Sequence, residues 1–160
     1  MINIRNVLIT FSEELNKKIE QKGVTYRQVA FAARVTKGSM VHYKSGNCFP
    51  ELYTLILIAD YLECSVNELL GYSDDLLLKH DNKLEDLLQN EDTFSDYFRD
   101  RLIQCMKIRN ISAKKLYEST GISLNTIEMY LSIHRWVPRV PDFLLICDAL
   151  DCTPSDLIGY

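Results

Sequence analysis

The side chains best suited to hold a charged ligand lie in one stretch. From Gln21 to Pro50 the chain carries Lys22, Arg27, Arg34, Lys37 and Lys44 and no Asp or Glu. Cations without acids beside them suit a polyanion, and such a window lets a chain of net charge −4 still present a basic face. Other chemistry is poorly provided for. His42, His80 and His134 are scattered, without acids at metal spacing, and neither a Gly-rich phosphate loop nor a nucleophile motif occurs. Catalysis, a metal, a cofactor and a small-molecule ligand are therefore not expected. The five cysteines are odd in number and contain no C-x-x-C pair, so reduced and mostly buried thiols are expected rather than a disulfide framework.

The elements that must position these residues are helical. Ile4, Val7, Leu8, Phe11, Leu15 and Ile19 follow three- and four-residue steps, the stripe of one long helix stopped by Gly23. Thr25-x-x-Gln28 forms a capping box for a second helix, Thr36 caps a third, Pro50 blocks continuation before a fourth, and Ser65-x-x-Glu68 caps a fifth. Ser112, Ser123, Pro138 and Thr153, with Pro154 in a first turn, repeat the signals.

That repetition runs through the chain. Phe11, Leu15, Ile19 and Tyr43 recur 87 positions later as Phe98, Leu102, Met106 and Tyr130. After one inserted residue the offset is 88, matching Pro50 with Pro138, Cys64 with Cys152, Leu69 with Leu157 and both Gly-Tyr endings. The expectation is two copies, residues 1–72 and 93–160, joined by an acidic leucine-containing connector over 73–92. The copies have net charges +1 and 0, the connector −5. Its Asn82-x-x-Glu85 pair resembles a capping box, so a short helix is expected there. With 47% hydrophobic and 25% charged residues, no apolar run of bilayer length and no signal-peptide pattern in "MINIRNVLIT", a globular cytoplasmic protein with no membrane partner is expected.

The stretch "VTYRQVAFAARVTKGSMVHYKSGNCFP" resembles the helix-turn-helix of the Cro and phage-repressor (xenobiotic-response-element) family through Thr25, Val29, Ala30, Val35, Thr36, Met40, Tyr43, Gly46 and Pro50. The second copy resembles it through Ser112, Leu116, Gly121, Ile122, Ser123, Ile127, Tyr130, Pro138 and "CDALDCTPSDLIGY". The resemblance implies an all-α protein of two tandem lambda-repressor-like bundles, about five helices each. Two departures have structural consequences. Arg34 replaces the family's turn glycine, demanding a strained residue or a different turn, and Tyr117 replaces a small Ala, so its ring must spread the helices or point outward.

The resemblance also implies roles. Lys37, Gly38, Ser39 and His42 would face the major groove, with Tyr26, Arg27, Lys44 and Asn47 at the DNA-binding surface and near phosphates. On solvent faces Lys, Arg and His are also ordinary, and Gly38 weakens a short helix. In the second copy the matching positions are Leu124, Asn125, Thr126 and Met129, beside Glu128. Apolar groups and a carboxylate suit a partner or dimer face better than a polyanion, and Leu124, Asn125, Glu128 and Met129 are the expected face. Arg135, Trp136 and Arg139 offer a further contact, or Trp136 covers the core. The functional expectation is a DNA-binding transcriptional regulator, of repressor type, acting on double-stranded DNA as a homodimer. The alternative is a protein-binding adaptor, antitoxin-like or anti-repressor, without DNA recognition.

Overall fold

The computed structural model describes residues 1–73, 90–133 and 136–159, and every regular element among them is an α-helix. Asn82, Glu85, the connector leucines, His80, His134, Arg135 and Tyr160 lie outside the described residues. No helix among those described is long and apolar enough to cross a membrane. The chain divides into two compact units, Asn3–Asp74 and Asp75–Tyr160, the latter with Met1–Ile2.

In the first unit α1 (Ile4–Lys22) buries Phe11, Leu15 and Ile19 and ends at Gly23, whose φ of 70° is left-handed. Then come α2 (Tyr26–Ala32), α3 (Lys37–Lys44), α4 (Leu52–Tyr61) and α5 (Val66–Leu70). Their starts follow from local chemistry. The Thr25 hydroxyl accepts the Gln28 amide N–H while the Gln28 side chain accepts that of Thr25, and Ser65 and Glu68 form the same reciprocal pair. Thr36 Oγ1 accepts the Ser39 N–H at 3.0 Å. Helix α1 packs on α3 and α5, α2 on α3 and α4, and α4 on α5. Phe11, Leu15, Met40, Leu55, Ile58 and Leu69 close the core at 0% exposure. Truncating any of them to Ala costs about 2–5 kcal/mol.

The second unit contains α6 (Glu91–Arg109), α7 (Ala113–Thr120), α8 (Leu124–Leu131), α9 (Val140–Ala149) and α10 (Pro154–Ile158). Helix α6 begins at Glu91, inside the expected connector, because the Asn90 side chain caps it by accepting the Asp92 N–H. It packs on α8 and α10, α7 on α8 and α9, and α9 on α10. Element by element, these are the same partners as in the first unit. A basic side chain ties first helix to last in each. Lys18 donates to Glu68 at 2.6 Å, and Arg101 donates through Nε to the Asp156 carbonyl at 2.6 Å.

Both departures at the turns resolve physically. Arg34 adopts the left-handed conformation itself, φ 59°, so the turn keeps its shape at the cost of a strained residue. In the second unit Gly121 takes that conformation at φ 75°. Tyr117 turns its ring outward, 45% exposed, and leaves α7 packed on α8.

Candidate nucleic-acid interface

The N-terminus of α2 and the last turn of α3 meet around Tyr26, the first residue of α2. Lys44 Nζ lies 4.8 Å from the centre of the Tyr26 ring, and the Arg27 guanidinium carbon lies 5.9 Å from it. The Tyr26 phenol is held below the ordinary tyrosine range, first by a hydrogen bond from Arg27 and its charge, then by the charges of Lys37 and Lys44. A phenol made more acidic by three cations reports a concentrated positive potential. None of the three appears in a salt bridge among the described residues. Neither helix carries an acid in its first turn, and the positive end of the α2 dipole, where Tyr26 sits, adds to the field.

Along α3 the expected groove positions divide. Lys37, Gly38 and His42 are exposed. His42 Nδ1 lies 3.1 Å from Asn47 Nδ2. With the Asn47 amide donating, Nδ1 accepts, which leaves Nε2 as the ring's donor. Asn47 is thus brought to His42, a positioning contact that its spacing in sequence did not announce. Ser39 departs from expectation. It is half-buried, its hydroxyl 3.0 Å from Thr36 Oγ1 and also hydrogen-bonded to Tyr43, which leaves it little to offer a base. At Gly38 an added Cβ would meet only Thr36 Oγ1, at 3.8 Å, so nothing within the protein requires glycine there. Sequence reasoning missed Phe31, 88% exposed on α2. The signal was present in the all-apolar run "VAFAA", which is too wide to be buried on one helix face.

The corresponding face of the second unit is different in kind. Leu124 is 38% exposed, and Asn125 and Glu128 are exposed. Met129, expected to be exposed, is half-buried on the last turn of α8. Trp136 is 55% and Ile133 78% exposed, so Trp136 does not cover the core. Ile103, Met106, Lys107, Asn110, Ile111, Ser112 and Leu131 line a groove of about 570 Å³. In the first unit Asn16 and Lys44 stand where Ile103 and Leu131 stand here, and the Asn16 amide closes that seam by donating to the Lys44 carbonyl at 2.9 Å. A polar, cationic edge in one unit is an apolar groove in the other.

Among the described residues each unit thus has side-chain-capped helices and a left-handed turn between its second and third helices. Residues 101–160 match the Cro/C1-type helix-turn-helix DNA-binding domain. The match covers less than half the chain, from within α6 through α10, and supports a regulator of the Cro/C1 type. It falls on the unit with the apolar face, not on the unit with the cations. No curated protein and no solved structure matches the chain.

Proposed function

We propose that the chain is a DNA-binding transcriptional regulator of repressor type, with a tandem pair of helix-turn-helix units of unequal task. The first unit lays α3 in the major groove. Lys37 and the His42 Nε2 proton address base edges, and Arg27, Lys44 and the Tyr26 phenol hold the flanking phosphates. The observation that carries this is the cluster of Arg27, Lys37 and Lys44 about Tyr26, without salt-bridge partners among the described residues. The second unit keeps the scaffold, and its α8 face with Leu124, Asn125, Glu128 and Met129 meets a second copy, so that two reading helices address paired half-sites.

Binding to mixed-sequence duplexes across a salt series tests it. Affinity falls steeply with salt and drops on Lys37→Ala, while Lys114→Ala, at the exposed position of the second unit that matches Arg27, leaves it unchanged. The exposed Leu124, Ile133 and Trp136 favour a second reading, a protein-binding adaptor. Absence of binding even at low salt would decide for the adaptor.

A further inference from the structure

The groove of the second unit has apolar walls and an open mouth. Ile103 and Met106 of α6, Ile111 of the α6–α7 turn and Leu131 at the end of α8 line its volume of about 570 Å³, and Lys107 stands exposed at its edge. Three exchanges between the units account for it. Where the first unit has Asn16, Tyr26 and Lys44, with the half-buried Tyr26 ring against the Lys44 ammonium, this unit has Ile103, Ala113 and Leu131. A ring has been cut back to a methyl group, and two polar side chains beside its place have become aliphatic. Such a site suits an apolar side chain and no longer suits a phosphate.

The same unit also carries side chains of the kind that the groove would take. Ile133 is 78% and Trp136 55% exposed, and neither is among the described residues that line the groove. Both follow Leu131 within five residues, so knob and groove adjoin. Leu124, Glu128 and Leu131 succeed one another at i, i+4 and i+7, which makes the groove a continuation of the α8 stripe. The charges are self-complementary as well. Lys107 at the groove and Glu128 on the stripe are both exposed, and neither appears in a salt bridge among the described residues. The first unit has Glu20 and Val41 at these positions and lacks the pair. A surface that holds a knob, a groove and one charge of each sign meets the condition for a twofold contact, in which residue i touches residue j and j touches i.

We propose that the groove is the docking site for a second copy of this chain. Trp136 and Ile133 of each chain enter the groove of the other between Ile103 and Leu131, and Lys107 of each chain pairs with Glu128 of the other. The inference rests on the reading that α8 meets a second copy, and it names the socket and the anchor that close the pairing. Trp136 is the anchor, because a large rigid ring seated in an apolar pocket carries most of the energy of such a contact.

The full chain is followed over a dilution series by sedimentation velocity and by tryptophan emission, which Trp136 alone supplies. A dimer is expected whose emission lies to the blue and moves to the red as it dissociates, both signals sharing one midpoint. Leu131→Lys installs the residue that the first unit carries at the matched position of the same scaffold, and it weakens the dimer about 30-fold. Trp136→Ala, at an exposed position, weakens it by a similar factor in sedimentation. Lys107→Glu weakens it about tenfold, and adding Glu128→Lys restores it, a rescue that damage to the fold would not give. A dimer that Leu124→Asp breaks, while Leu131→Lys and Trp136→Ala leave its dissociation constant unchanged, would overturn the groove as the docking site and leave the α8 reading standing. A chain that stays monomeric at every concentration would overturn both.

Discussion

Lys44→Leu transplants into the first unit the residue that the second unit carries at the matched position, Leu131. In the free protein the change is mild. Lys44 has no salt bridge among the described residues, its contact with the Tyr26 ring contributes about 0.5–1 kcal/mol, and leucine can still cover that ring. On DNA the change is larger and has a signature. If Arg27 and Lys44 each neutralise a phosphate, a two-fold dimer makes about four such contacts, and log K falls against log salt with a slope of about −3.6. Removing Lys44 from both chains moves the slope by about +1.8. Between about 50 and 200 mM salt the parent then loses roughly 10²-fold in affinity and the variant roughly 10-fold. Fluorescence anisotropy on a labelled mixed-sequence duplex measures both. A variant whose affinity falls equally at every salt concentration, with an unchanged slope, would refute the assignment of Lys44 to a phosphate.

Two further substitutions test the scaffold. Gly121→Ala has open space for its methyl group, so the cost is backbone alone, about 1 kcal/mol in denaturant titration, and Arg34→Gly relieves up to about 1 kcal/mol at the matched turn. Equal and negligible effects at both sites would show that neither turn is strained. Tyr130 is pushed up to about 12, first by burial and then by Asp142, whose carboxylate accepts its hydroxyl at 3.3 Å. The folded state therefore binds the extra proton between the unfolded tyrosine value near 10 and about 12. The stability this gives is present below pH 10 and is lost as pH rises through that window. Tyr130→Phe should flatten the alkaline loss, read as unfolding midpoint against pH; an unchanged slope would remove Tyr130 as its cause.

What the sequence disclosed was chiefly local. The boxes Thr25 with Gln28 and Ser65 with Glu68 and the stop at Gly23 depend on neighbours three to five residues away, and spacing alone exposes them, whereas the buried Met40 and Tyr43 were implied by the family resemblance. Asn110, left-handed at φ 53° where the first copy has Gly23, was not foreseen, since asparagine there has no distinctive neighbour. Tertiary pairings were the harder part. Ser39 looks free in sequence, yet Thr36 and Tyr43 claim its hydroxyl; Asn16 and Lys44 look unrelated until α1 packs on α3 and the Asn16 amide donates to the Lys44 carbonyl. The divergence of "TKGSMVHYK" from "SLNTIEMYL" was legible, but its structural form, a cationic cluster on one unit and an apolar groove on the other, required side-chain positions.

The central claim is that α3, not α8, addresses DNA, although the family match falls on the unit containing α8. Hydrogen exchange of the full chain with and without a mixed-sequence duplex at low salt tests it directly. Protection is expected at residues 26–27 and 37–47, with the amides of 113–131 unchanged by DNA at equal protein concentration. Protection confined to 113–131 would contradict the account.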